Sequence, residues 1–132
     1  MHDRESAGKL SSSNEDYLEA IYQLGGATKA IRSVDLAGKL EVSKASVNKA
    51  INNLKNAGLV TQPHYGDISL TGEGLRYARR VLSRHEILTQ FLTEVLEVEP
   101  LRAQEEACKM EHAISDDTLD RWRLFMEEWR RA

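Results

Sequence analysis

The feature that most constrains this chain is a run of spaced aliphatic residues between Leu36 and Leu54: Leu36-Ala37, Leu40 and Val42, then Val47, Ile51 and Leu54. Apolar residues three and four apart give one buried face to each of two short helices. Ser33 can cap the first helix and Ser43 the second, because a serine side chain accepts from an otherwise unpaired N–H of the first turn. Ala37 is small enough for the pair to cross closely at a steep angle. Glu41 occupies the turn between them, where such motifs commonly have glycine. Asn56-Ala57-Gly58 ends the second helix, since glycine accepts the left-handed conformation of a helix end.

The flanking elements complete the plan. Ser13-Asn14-Glu15-Asp16 opens an earlier helix with Tyr17, Leu18, Ile21, Tyr22 and Leu24 as its stripe, and Gly25-Gly26 stops it. After Gly58, Leu59-Val60-Thr61-Gln62 and Ile68-Ser69-Leu70 read as two short strands about a turn-rich connection, Pro63 to Asp67. Thr71 caps a long helix over about residues 71–97, with Leu75, Ala78, Val81, Leu82, Leu88, Phe91, Leu92 and Val95 on one side. Pro100 starts a fifth helix reaching Ile114. Ser115-Asp116-Asp117 caps a sixth that carries Leu119, Trp122, Phe125, Met126 and Trp129. Two prolines and eight glycines in 132 residues leave little room for a β-rich chain. The expected fold is mainly α: an N-terminal winged helix-turn-helix with a small β-hairpin wing, followed by a C-terminal helical lobe. The expected divisions are a flexible tail over 1–12, the winged helix over 13–72 and the helical lobe over 73–132.

The formal net charge of −3 argues against a polyanion as partner until its distribution is considered. Residues 27–84 hold ten basic and four acidic residues, a net +6, which leaves −9 for the remainder. A basic middle flanked by acidic ends offers one surface to phosphates and another to cations or a protein partner. No run of about 18 apolar residues exists to span a membrane. The N-terminal residues lack the apolar segment of a signal peptide. A single cysteine, Cys108, agrees with a reducing compartment, so a cytoplasmic location is expected.

With Val47, Ile51 and Leu54 facing inward, the third helix exposes Lys44, Ala45, Asn48, Lys49 and Asn52, with Ser43 and Ser46 near its first turn. Short polar and basic side chains at the start of a reading helix suit base edges and phosphates. Ser46 and Lys49 are placed to read bases, and the wing residues His64 and Tyr65 to approach the backbone or minor groove. The plainer reading of Lys44 and Lys49 is a solvated helix face.

A second constellation is built from metal-type donors. Cys108, Glu111 and His112 are spaced i, i+3 and i+4 and so share a helix face. His85 is in register with Leu82, Leu88 and Leu92, while Asp16 and Glu19 are one turn apart on the first helix. A mixed oxygen, nitrogen and sulfur set of this size can hold one octahedral divalent ion, or two with bridging carboxylates. Each donor also has a duller role: Asp16 in a capping box, Glu19 on the surface, Cys108 as a small core residue, His85 as a hydrogen-bonded histidine, Glu111 and His112 as ordinary surface. Burying Glu111 and His112 beside Cys108 without a cation would be costly, however.

At these residues the sequence resembles the diphtheria-toxin-repressor and manganese-transport-regulator family of metal-dependent repressors. The similar stretches are Asn14 to Tyr22, Val42 to Val47, Arg84 to Leu88, and Ala107 to Ser115, within residues 13 to 127. The resemblance implies a homodimer that binds palindromic operator DNA when metal is present, and a dimerisation role for the helical lobe. It implies metal ligands at Asp16, Glu19, His85, Cys108, Glu111 and His112. A carboxylate at the Asp16 position goes with the manganese-responsive branch; Cys108 departs from it, since many of those members have glutamate there. Thr89 and Gln104 stand where the iron-responsive branch has a second-site glutamate and histidine, so that second site is expected to be absent. The short form, without the SH3-like domain of longer members, is also implied, as is control of metal-transport genes.

Mn(II) is therefore the first expected cofactor and Fe(II) the second, with Co(II) or Zn(II) binding in vitro, because thiolates favour the softer ions. The expected partners are double-stranded operator DNA and a second copy of the chain, with no membrane and no small-molecule substrate. Catalysis is not expected: no nucleophile or glycine-rich phosphate loop is evident. The rival reading is a winged-helix regulator that responds to a small organic ligand, its donors serving only structure.

Overall fold

The computed structural model describes residues 10–63 and 66–132. The wing residues His64 and Tyr65, and the first nine residues of the expected tail, lie outside the described residues. In chain order the elements are α1 (Ser12–Ile21), α2 (Ser33–Leu40), α3 (Lys44–Asn56), β1 (Val60–Thr61), β2 (Ser69–Leu70), α4 (Gly72–Gln90), α5 (Pro100–Met110) and α6 (Asp116–Arg131). α1 runs on into a kinked turn, Tyr22–Gly26, in which Gly25 takes a φ of 106°, and α4 into a wider helical turn, Phe91–Val95. The chain forms two compact units, which divide between Arg79 and Arg80.

In the first unit α1, α2 and α3 pack on one another around Leu18, Ile21, Leu36, Val47, Ile51 and Leu54. Each fully buried aliphatic of this kind contributes about 1.5–3 kcal/mol. Ser11, rather than Ser13, caps α1, accepting from the Asn14 N–H at 3.1 Å. Leu10 packs against the core, and that tertiary contact selects among three adjacent serines that are locally equivalent. The cap therefore needs nothing from Asp16, and the capping-box explanation of that residue fails. α2 starts at Ser33 without a side-chain cap, whereas Ser43 caps α3 as expected, accepting from the Ser46 N–H. Glu41 adopts the left-handed conformation, with φ of 54°, in the turn between them. Val34, on the first turn of α2, is exposed.

The wing is antiparallel, with Val60 opposite Leu70 and Thr61 opposite Ser69. An isolated bridge between Ile31 and Ile68 adds a third segment that the spacing of strand residues did not reveal. Where the wing meets α4, Thr71 accepts from the Gly74 N–H at 3.0 Å and donates to the Gly58 carbonyl at 2.7 Å. Gly74 is required here: a Cβ would lie 1.9 Å from the Leu59 carbonyl oxygen.

In the second unit the core is Ile87, Leu88, Leu92, Ala103, Ala107 and Leu119, with Phe91 and Trp122 beside it. Glu99 caps α5, and Ser115 caps α6 by accepting from the Thr118 N–H. α5 ends at Met110, four residues before the expected Ile114, and Glu111 follows as its last capping position. An Arg84–Asp116 ion pair joins α4 to the start of α6. No described helix is long and apolar enough to cross a membrane.

Candidate metal centre and nucleic-acid interface

Burial separates Glu111 of the second unit from an ordinary surface, with His85 and His112 half-buried beside it. Glu111 is completely buried, although it lies at a helix end where solvation would be easy. His85 Nδ1, from α4, stands 2.8 Å from Glu111 Oε1. His112 Nε2 lies 3.7 Å from Glu111 Oε2, too far for a hydrogen bond. Glu111 Oε2 accepts no hydrogen bond from any described residue. One buried carboxylate thus stands between two imidazoles with an oxygen left over. A buried carboxylate oxygen without a donor is costly, and a cation removes that cost. Oxygen and imidazole nitrogen together suit Mn(II), Fe(II) or Zn(II). The residues present therefore fit a divalent metal.

Cys108 is exposed, which excludes its reading as a core residue. It lies on α5, one turn before Glu111 and His112. Asp16 and Glu19 both belong to α1 in the first unit, Glu19 buried and Asp16 half-buried. The second-unit histidines and Glu111 are thus brought together, and the α1 carboxylates are one helical turn apart on their own element.

The interface candidates lie in the first unit. Ser43, Lys44, Ala45, Ser46, Asn48 and Lys49 are all exposed, as is Asn52. The Ser43 hydroxyl is spent on the cap, accepting from the Ser46 N–H and donating to the Ser46 hydroxyl at 3.0 Å. The Ser46 hydroxyl keeps its own proton to donate to a base edge or phosphate. A cleft of about 600 Å³ runs beside this helix, and its lining includes Asp16, Ser46 and Lys49. One of the metal-type donors thus borders the same cleft as two of the reading candidates.

Reasoning from the sequence passed over Glu15 and Tyr77. Glu15 is fully buried, and the Tyr77 hydroxyl donates to its Oε2 at 2.7 Å. The signal was available: Glu15 is in register with Leu18 and Tyr22 on the inward face of α1.

Among known proteins, residues 9–68 match the family described as the iron dependent repressor N-terminal DNA binding domain. Residues 71–131 match the iron dependent repressor metal binding and dimerisation domain. The chain is 37% identical to an uncharacterized HTH-type transcriptional regulator of Methanocaldococcus jannaschii, over 92% of this chain and 98% of that one. It is 38% identical to the transcriptional regulator MntR of Escherichia coli, over 86% of this chain and 73% of that one. Among solved structures it is similar to the manganese regulator SloR, with a TM-score of 0.75 and 29% identity, covering 86% of this chain and 53% of that one. The T. acidophilum IdeR structure gives a TM-score of 0.72 and 27% identity, over 86% and 53%. The chain spans about half the length of these two structures.

Proposed function

Because this chain belongs to the iron-dependent repressor family of metal-dependent transcriptional regulators, which includes the diphtheria-toxin repressor and the manganese transport regulators, we propose that it is a cytoplasmic repressor whose homodimer binds palindromic operator DNA when Mn(II), or secondarily Fe(II), is present. Asp16, Glu19, His85, Cys108, Glu111 and His112 hold the metal. Ser43, Lys44, Ala45, Ser46, Asn48 and Lys49 face the DNA major groove, with His64 and Tyr65 on the wing. The regulated genes are those of metal transport.

The observation that carries this reading is Glu111, a buried carboxylate between two imidazoles with one oxygen unmatched. A neutral structural role would be served better by an apolar residue, since buried charge without full pairing opposes folding. A bound divalent cation supplies positive charge to the donor set and offsets the acidic remainder of the chain. The residues do the rest. α1 packs on both α2 and α3, so holding Asp16 and Glu19 holds the helix that supports the reading helix. Fixing α1 then restricts the reading helices of a dimer to half-sites about one helical turn, or a multiple of it, apart. Regulation follows only to the extent that the donors bind metal more tightly in the DNA-competent state. For the dimer, the second unit offers the exposed apolar side chains Phe125 and Trp129, stacked on each other, together with Leu124 and Leu101.

The test is an anaerobic DNA-binding titration with Mn(II), Fe(II), Co(II) and Zn(II). His112→Ala is expected to abolish metal-stimulated DNA binding while the protein stays folded and dimeric. Asp16→Met is expected to move the preference from manganese toward iron, since a thioether is a softer donor than a carboxylate. A full metal response in the His112 variant defeats the site assignment. An unchanged ion ranking in the Asp16 variant defeats the selectivity argument.

A further inference from the structure

Glu15 makes no part of the metal or DNA chemistry proposed above, yet it is a fully buried carboxylate in the first unit. An ionised carboxylate leaves water only at considerable cost unless donors compensate it. A leucine would fill the same register, in line with Leu18 and Tyr22, at no such cost. What the carboxylate obtains instead is a directed bond: the Tyr77 hydroxyl, on α4, donates to Glu15 Oε2 at 2.7 Å. The same hydroxyl accepts from the Leu10 N–H at 2.9 Å. Tyr77 thereby grips α1 at two places, the residue before its Ser11 cap and its first buried turn. Contacts 62 and 67 residues apart in sequence meet at one oxygen atom.

The placement of Glu15 on α1 gives this grip a direction. With 3.6 residues per turn, Glu19 lies about 40° round the helix from Glu15 and one turn further on, while Asp16 is the next residue, about 100° away. Any rotation that breaks the Glu15–Tyr77 bond swings both of those carboxylates with it. Glu15 and Glu19 are both buried, one helical turn apart on α1.

We infer that Tyr77 and Glu15 form a buried strut that sets the rotation of α1 and so presents Asp16 and Glu19 in register for metal, making both of them positioning residues for the metal response. The inference rests on Asp16 and Glu19 being ligands, as proposed above. A tyrosine suits the task because its ring is rigid and its hydroxyl both donates and accepts. Dependence on the hydrogen bond, and not on general stability, distinguishes a strut from a merely well-packed pair.

Tyr77→Phe keeps the ring and removes only the oxygen. Mn(II) alone is the probe, its free concentration followed by electron paramagnetic resonance, with hydrogen exchange of the residue 11–21 amides measured on metal-free protein. Loss of a charge-assisted hydrogen bond that is coupled to the site predicts about a tenfold weakening of Mn(II) affinity. Faster exchange across α1 is expected alongside it. Glu15→Gln keeps an oxygen that accepts from Tyr77 and is expected to retain most of the affinity, whereas Glu15→Ala behaves like Tyr77→Phe. Ile31→Val trims the same core away from the strut, and should lower the unfolding midpoint without moving Mn(II) affinity. Wild-type affinity in Tyr77→Phe, or a shift no larger than that of Ile31→Val, overturns the coupling to metal. Unchanged exchange in Tyr77→Phe overturns the strut itself, whether or not manganese binds. Absence of Mn(II) binding by the wild type defeats the proposed function instead, a different failure that the exchange measurement separates from this one.

Discussion

The two units solve the burial problem differently. The first gathers fourteen buried apolar residues from α1, α2, α3, the wing and the start of α4, and among its described residues only Val34 is a large exposed hydrophobic. The second has eight among its described residues, six of them in one cluster, while Leu96, Leu101, Leu124, Phe125 and Trp129 stay exposed. Its aromatic residues form a ladder from inside to outside: Phe91 meets Trp122 at 5.3 Å and Phe125 at 5.9 Å, and Phe125 stacks on Trp129 at 6.3 Å between ring centroids. The first unit closes its core on itself. The second leaves several apolar side chains open and buries a glutamate with one oxygen that accepts no hydrogen bond, the two features on which the proposed dimer and metal site rest.

The comparison breaks most decisively at the aromatic ladder. Phe125→Glu together with Trp129→Glu should weaken the proposed dimer by about a hundredfold or more, as loss of central aromatic anchors does. Sedimentation should then show a monomer at concentrations where the wild type is dimeric, and an unchanged mass would mean that another face joins the subunits. A smaller effect probes the first unit. Glu41 holds a left-handed conformation that a glycine adopts without steric cost, so Glu41→Gly should raise stability by about 0.5–1 kcal/mol, read from the denaturant midpoint. A lower midpoint would mean that the side chain supports the turn in another way.

The smallest effect is expected at the exposed Arg130–Glu94 pair. Its hydrogen bonds hold the Glu94 carboxyl below the usual glutamate value and the Arg130 guanidinium above its own. A carboxyl with a depressed folded-state pKa stabilises above its unfolded value, and the contribution fades as pH falls through the folded one. Glu94→Gln should therefore lower the thermal midpoint slightly at neutral pH, with the difference vanishing in acid and shrinking in high salt. A difference that persists in acid would assign the effect to packing.

Much of this layout is readable along the chain because its causes are local. Ser43, Thr71 and Ser115 sit at helix starts where a hydroxyl meets a nearby N–H, and the aliphatic spacing of α3 announces its buried face. The donors Cys108, Glu111 and His112 fall at helical spacing, which suggests a common face, but α5 ends at Met110, leaving Cys108 exposed and Glu111 fully buried. Locally equivalent choices are not readable in this way. Ser11 and Ser13 are equally good caps until Leu10 finds the core. The Ile31–Ile68 bridge needs two residues 37 positions apart to pair, for which neither sequence neighbourhood carries a marker.

Periodicity, capping chemistry and charge placement, all acting within a few residues, thus determined from the sequence where the helices lie and which side chains are candidates for reading and for metal chemistry. Only the tertiary structure decided that Glu15 would be buried against Tyr77, that Glu111 would stand between two imidazoles, and that Phe125 and Trp129 would remain outside. Those outcomes depend on which distant segment arrives to cover or to pair a group. The free energy of a buried charge or an exposed ring is set by that arrival and not by its neighbours in the chain.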